Sequence, residues 1–448
     1  MTTALTKAYW SAFTLWEARA EETLPYRPIE EILAVQRRRL QQMVDHAYTS
    51  VPHYRDAMDR AGLSPGDIRR ADDLALLPLI SGADLAADPK RFRSIRHPPA
   101  HAVPLQSSGT SGRPKVVHYD HAALFMALAH GHRQRVVLGH FVGRRFGYRE
   151  MLAARSDSVS HQLRRFYESH AWVPRPVELG RRELRLDASF DDAIASVNEF
   201  RPHVIFGYGS HLGALFRWAW EHGRPLWRPS VLWYGADRIA DRDRTLIEGE
   251  LGVPVVSTYQ CDEVLRLGFQ CERREGFHLS LDAVAVRVVD RDGNAVGPGG
   301  TGEIVISTLT NRATVLLNYK LGDIVTMGAS PCACGRTLPT IRCIQGRAED
   351  VVLLRGGEMR HPLVLLQDLR AVRGIVEVQL VQDTLERFSL RAVCAAGSHW
   401  ETIRAQLGKI VRRLLGEGLD VAIERVDSIP REPGGKVRSV ISRCRTSA

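Results

Sequence analysis

The sequence predicts an α/β protein. A large, multi-sheet N-terminal α/β body (residues 1–346) precedes a smaller C-terminal α+β unit (residues 347–448). Three observations predict it. At 448 residues the chain exceeds what one ordinary hydrophobic core takes up. Between about 190 and 260, short β-rich runs alternate with helical ones, the pattern of a mostly parallel sheet covered by helices. After about 346, four short β-rich runs accompany a single helical stretch.

The strands of the alternating region are 203–207, 231–235 and 253–257, with helices near 210–222 and 238–251. Ligand-binding loops are expected at the ends of such strands. Upstream, residues 29 to about 100 read as helical, up to the prolines Pro98, Pro99 and Pro104. Ile29, Ile32, Leu33, Leu40, Met43, Val44 and Ala47 form an apolar stripe at helical spacing. Arg37, Arg38 and Arg39 lie mostly off that stripe and read as solvated. Downstream, 283–289 and 303–307 read as a hairpin joined through Asp292-Gly293 and 297–302. The C-terminal unit has strands near 351–354, 375–381, 387–393 and 420–426, and a helix at about 399–416. There is no internal repeat.

Composition narrows the class of function. Hydrophobic content of 44% and charged content of 25% are those of a soluble globular protein. No apolar run approaches the roughly 18 residues that span a bilayer. Glu17, Glu21 and Glu22 interrupt the N-terminal apolar residues, unlike a secretory signal, so a cytoplasmic protein without a membrane partner is expected. The net charge of +10 comes from scattered arginines, which argues against nucleic acid and suits anionic small molecules. Only six of 61 basic residues are lysine, yet Lys115 and Lys436 both sit in glycine-containing loops. Seven cysteines, an odd number, argue against a disulfide framework.

The run Ser107-Ser108-Gly109-Thr110-Ser111-Gly112-Arg113-Pro114-Lys115 offers backbone N–H and hydroxyl groups at little steric cost. It departs from the Walker pattern, because its Lys follows proline and precedes no Ser or Thr. By itself it fits a phosphate cradle or a flexible surface loop equally well. Four further motifs follow: Thr258-Tyr259-Gln260-Cys261-Asp262-Glu263, Asn318-Tyr319-Lys320-Leu321-Gly322-Asp323, Gly346-Arg347-Ala348-Glu349-Asp350 and Pro430-Arg431-Glu432-Pro433-Gly434-Gly435-Lys436.

Each motif is weak alone. In this order and spacing, the set resembles the adenylate-forming superfamily of acyl-CoA synthetases, specifically its phenylacetate–CoA ligase-like branch. The resemblance runs from about 29 to 440 and includes Val44 to Arg55 near the N-terminus. It implies an adenylate-forming ligase whose residues 347–448 form a mobile lid. Ser107 to Lys115 would wrap the β- and γ-phosphates of ATP, with Thr110 near Mg²⁺. Gly235, Ala236, Asp237 and Tyr259 would frame adenine, Glu263 would hold Mg²⁺, and Asp323 would accept from the ribose hydroxyls. Arg347 would contact the nucleotide, Glu349 would mark the hinge, and Lys436 would reach the carboxylate and α-phosphate. Phe141, Phe206, Tyr208, Gly209 and Ala236 would line the acyl pocket, and Gly356-Gly357 the approach of the thiol.

Plainer readings stand beside these. Asp323 fits a turn, Arg347 and Glu349 a surface ion pair, Lys436 a solvated turn, Glu263 a helix N-terminus, and the aromatics a core. The sequence also departs from the family at Gln260, Asp262 and Glu349, where Gly, Ser or Thr, and Asp are usual.

Cys271 and His278, with six residues between them, and the Cys332-Ala-Cys334 pair make a closed set of three thiolates and one imidazole suited to Zn²⁺. Free thiols are the alternative. The expected activity is ATP- and Mg²⁺-dependent conversion of an aromatic or arylacetic acid to an acyl-AMP, then acyl transfer to CoA. An amine or a carrier-protein thiol is the alternative acceptor, and a non-catalytic nucleotide-binding protein the third reading. A monomer or homodimer is expected.

Overall fold

The computed structural model describes residues 3–106, 115–154, 158–172, 180–395, 397–430 and 437–444. Ser107, Ser108, Gly109, Thr110, Ser111, Gly112 and Lys436 lie outside the described residues.

The N-terminal region is helical. α1 (Ala4–Ala20), α2 (Ile29–Ser50) and α3 (Pro52–Ala61) lead into short turns and α4 (Gly82–Ala87). The apolar stripe of α2 is buried at Ile32, Leu40, Met43, Val44 and Ala47. The helical reading stops being correct after Ala61, where Pro65, Pro78 and Pro89 remove donors and cut the chain into single turns. That stretch instead pairs with the body, as Ile80 N–H donates to Asn318 O at 3.0 Å. Of the three arginines expected in solvent, Arg37 and Arg38 are exposed. Arg39 corrects the expectation, since its Nη1 donates to Asp282 O at 2.8 Å.

β1 (Val103–Gln106) and β2 (Val116–Tyr119) form an antiparallel pair around the Ser/Gly run, and α5 (His121–Val142) follows. Asp120 caps α5 by accepting from Ala123 N–H at 2.9 Å. α5 escaped sequence reading because it is buried on several faces, which blurs the 3.6-residue period.

One eleven-stranded sheet dominates the body. Its parallel half contains β3 (Glu150–Ala153), β4 (Arg181–Leu184), β5 (Val204–Tyr208), β6 (Val231–Gly235) and β7 (Val255–Tyr259). α6 (Val159–His170), α7 (Phe190–Phe200) and α8 (Gly209–Glu221) supply crossovers. The helix expected at 238–251 is α9 (Asp241–Thr245) running into a π-turn at Leu246–Glu250. From β7 the sheet continues antiparallel through β8 (Gly268–Phe269), β9 (Phe277–Leu279), β10 (Val284–Val289), β11 (Thr301–Thr308), β12 (Tyr319–Met327) and β13 (Thr340–Arg347), in the spatial order 7-8-9-13-12-11-10. The sheet is thus mixed rather than mostly parallel.

After β13 come the β14 (Val352–Leu353) and β15 (Met359–Arg360) hairpin, then α10 (Pro362–Arg370), β16 (Ile375–Gln382), β17 (Arg387–Cys394), α11 (Trp400–Leu415), β18 (Asp420–Arg425) and β19 (Val440–Ser442). The last four strands form a separate sheet of order 18-17-16-19. Their apolar faces bury Val378, Leu380, Phe388 and Leu390 against Leu365, Leu369, Leu407 and Val411. This core is distinct from the two hydrophobic clusters upstream. No helix among the described residues is long and apolar enough to cross a membrane.

Candidate active site

The ends of β5, β6 and β7 open on a cleft of about 1710 Å³. The turn after β6 is tight: Asp237 N–H donates to Gly235 O at 2.8 Å, with Ala236 held at φ 68°. A non-glycine residue there is strained, as residues at functional loops often are. α8 starts directly beneath, and only glycine fits at 209, because a Cβ would lie 2.5 Å from Ile239 N. The Asp237 carboxylate is spent on this contact, accepting from Ser210 N–H at 3.2 Å and from its hydroxyl.

The β7 and β12 ends meet across the cleft. Tyr259 OH donates to Asp323 Oδ2 at 2.6 Å, and Arg347 Nε sits 3.1 Å from Asp323 Oδ1. Ladder pairing explains the second contact, because Asp323 and Arg347 are directly opposite in β12 and β13. The Asp323 charge holds Arg347 charged. Burial and the same carboxylate push the Tyr259 phenol far up, so it remains a donor. Asp323 keeps lone pairs for further donors.

A second cluster lies beside the first. Lys115 Nζ reaches Glu263 Oε1 at 3.3 Å and Tyr319 OH at 3.1 Å, and Tyr319 OH donates to Glu263 Oε1 at 3.2 Å. The two charges that sequence reasoning assigned separately, to phosphate and to metal, therefore form an ion pair. Gly82, which sequence reasoning missed, makes room: a Cβ there would come 2.7 Å from Lys115 Nζ. No periodicity marks that glycine.

Of the other expected positions, Gly235, Ala236, Phe206, Tyr208 and Glu349 also line the cleft. Gly209 lies under the loop, and Phe141 packs against the core, so neither is among the described lining residues. Phe206 pairs with Trp233, their ring centroids 4.3 Å apart. Gly356 and Gly357 turn the β14–β15 hairpin at φ 85° and 84°. Sequence reasoning missed Asp350 and Arg438. Arg438 Nε donates to Asp350 Oδ1 at 2.6 Å, joining the segment before β19 to the residues after β13. Burial raises the Asp350 carboxyl to about 6, against the pull of Arg438.

Cys271, His278, Cys332 and Cys334 converge, with their ligand atoms all within 4.8 Å of one another. Cys271 Sγ and Cys332 Sγ are 3.8 Å apart, and Cys334 Sγ lies 3.3 Å from His278 Nε2. His278 Nδ1 sits 3.2 Å from Leu338 O, which leaves Nε2 for a ligand.

Comparison with known proteins places this geometry. The C-terminal residues 359–443 match the family described as CapK C-terminal domain. The chain is 27% identical to a phenylacetate-coenzyme A ligase of Thermus thermophilus, over 94% of this chain and 98% of that protein. It is 25% identical to a phenylacetate-coenzyme A ligase of Escherichia coli, over 92% of this chain and 94% of that protein. The crystal structure of 2-hydroxyisobutyryl-CoA ligase in the postadenylation state has the same fold, with a TM-score of 0.73 at 19% identity over 93% of this chain and 90% of that one.

The protein is therefore an adenylate-forming ligase, with the α/β body and small C-terminal domain of that class. Within the superfamily, its full-length similarity is to the phenylacetate–CoA ligase-like branch.

Proposed function

We propose that the protein activates an aromatic or arylacetic acid with ATP and transfers the acyl group to CoA. The observation that carries this reading is the pair of clusters facing one cleft, Tyr259–Asp323–Arg347 and Lys115–Glu263–Tyr319. In the first half-reaction a carboxylate oxygen bonds to the α-phosphorus of ATP, and the Pα–O bond to pyrophosphate breaks. In the second, the CoA sulfur bonds to the acyl carbon and AMP leaves, with the thiol proton passing to solvent.

Asp323 accepts from the ribose hydroxyls, Tyr259 and the Gly235–Asp237 turn frame the base, and Arg347 orients the nucleotide. Ser107 to Gly112, with Lys115, hold the β- and γ-phosphates, and Thr110 joins them near the metal. Glu263 suits Mg²⁺, a hard cation that takes one or two carboxylates and keeps waters and phosphate oxygens. Bound there, Mg²⁺ would neutralise charge developing on the departing pyrophosphate. Lys436 brings a mobile ammonium to the carboxylate and α-phosphate, where the negative charge builds. Residues 347–448 act as a lid that turns about Glu349, excluding water from the acyl-adenylate and admitting the thiol past Gly356-Gly357. Phe206, Tyr208 and Ala236 face the acyl group.

Acid-dependent ATP–pyrophosphate exchange tests the first step, and thioester analysis with and without CoA tests the second. Exchange for an arylacetic acid with thioester formed only when CoA is added is the expected result. Exchange with no thioester would overturn the CoA assignment, and no exchange with any acid would overturn adenylation.

The Cys/His cluster fits structural Zn²⁺. A tetrahedral site with Zn–S bonds of about 2.3 Å places sulfurs about 3.8 Å apart. Four protein ligands leave no open position, so the ion would pin the chain before β13 to β9. Purified protein is expected to hold about one equivalent of zinc, and Cys332→Ser with Cys334→Ser to lose it along with thermal stability. Metal-free wild type with unchanged melting would contradict this.

A further inference from the structure

Arg266 stands in the wall of the same cleft as Tyr259 and Asp323, and among the described residues no carboxylate forms an ion pair with it. Its Nη1 is cut off from solvent and has no hydrogen-bond acceptor among the described residues. Two other buried guanidinium groups are each paired with a carboxylate: Arg133 donates to both Asp282 oxygens at 2.9 and 3.0 Å, and Arg336 to both Glu272 oxygens at 2.6 and 2.8 Å. An unmatched buried donor pays its desolvation without return, so it asks for a partner from outside the chain.

The surroundings are shaped to hold it. Arg266 N–H donates to Val264 O at 2.7 Å across Leu265, whose φ is 60°. Such a turn is strained for leucine, and it sets the start of the Arg266 side chain. Opposite, α5 carries Gly131, where a Cβ would lie 3.0 Å from Nη2 and 3.3 Å from Cζ. Glycine inside a helix is costly, and here its absent side chain makes the space the guanidinium occupies. Burial pushes the Arg266 pKa down and Arg135 adds to this, while Tyr167 and Glu150 act the other way. Glu150 forms no ion pair with it among the described residues. Trp233, half-buried in the same wall, likewise has no acceptor for its Nε1 among the described residues.

We propose that the acid this enzyme activates carries a second carboxylate, remote from the reacting one, and that Arg266 binds it. A guanidinium meets a carboxylate through two parallel N–H···O bonds, and it is the side chain best suited to do so in a partly desolvated wall. This rests on the acid-activation reading and deepens it. Arg266 fixes the substrate and takes no part in bond making.

The test uses non-hydrolysable acyl-sulfamoyl adenosines, mimics of the acyl-adenylate. They come in pairs with aryl and straight-chain spacers, identical except for a terminal carboxylate or carboxamide. Binding of each pair, and of AMP alone, is measured by calorimetry on wild type, Arg266→Gln and Arg266→Lys. For at least one spacer, the carboxylate member should bind wild type about 10–100-fold tighter than the carboxamide. Arg266→Gln should erase that preference, Arg266→Lys restore part of it, and AMP affinity stay the same in all three. Equal affinities within every pair on wild type, with AMP bound, would overturn this inference alone. So would an Arg266→Gln protein that loses AMP and both members alike, since that is the mark of a structural role. Wild type that binds neither AMP nor any analogue would overturn the adenylation reading and this inference together.

Discussion

Lys436→Ala is expected to lower acid-dependent ATP–pyrophosphate exchange by about 10²–10³-fold, the usual loss when one preorganised charge is removed from a transition state. AMP binding should be unchanged, because the lysine is proposed to act on the reacting carboxylate and α-phosphate rather than on the base or ribose. Lys436→Arg should not rescue the activity, since a planar fork does not replace a compact ammonium. The residues that follow it in the sequence reach the cleft. Val437 and Arg438 line it, and Arg438 bonds Asp350 at 2.6 Å and lies 3.5 Å from Glu349 Oε1. Thioester formation from pre-made acyl-adenylate and CoA should be far less affected. An Ala variant with full exchange would remove Lys436 from the chemistry.

Asp282→Asn is expected to destabilise the body by about 3–5 kcal/mol, the cost of stripping one partner from a buried ion pair. Asp282 sits before β10, fully enclosed, and holds Arg133 through both oxygens and Arg39 at 3.3 Å. The neighbouring acid cannot take over. Burial raises the Glu21 carboxyl to about 7, so it is only partly ionised at neutral pH. Burial also drives His130 down to about 3, so it is neutral. Asp282 is the group held below its ordinary range, by Arg133 first among the attractive charges. A depressed carboxyl contributes stability that is present above its unfolded pKa and lost as pH falls through the folded value. The loss on mutation should therefore be full at pH 7 and shrink in acid. Urea denaturation of Asp282→Asn, Arg133→Met and the double variant checks it. Strictly additive single effects would show that the pair does not act as a unit.

The network also shows why parts of the fold were hidden from sequence. Glu21, Arg39, His130, Arg133 and Asp282 come from the C-cap of α1, from α2, from α5 and from the turn before β10, and no spacing joins them. By contrast β5, β6, β10, β16 and β17 were legible within a residue or so, because Val, Ile and Leu runs between turn residues are local signals. β12 and β13 were not, since the motifs they carry interrupt their apolar pattern. The positions proposed to bind the nucleotide were legible as ordered motifs, but not the pairings among them. Tyr259 with Asp323 spans 64 residues and Lys115 with Glu263 spans 148.

The sequence by itself determined the class of fold, the superfamily, and which short segments are proposed to carry the chemistry, because those properties reside in local pattern and residue type. Only the tertiary structure decided that Lys115 is paired with Glu263, that Gly82 and Gly131 exist to make room, and that Arg266 faces the cleft with no partner among the described residues. Each depends on which distant surfaces the sheet brings within a few ångströms. A side chain's charge is written in the sequence, but whether that charge is spent is settled by its neighbours in space.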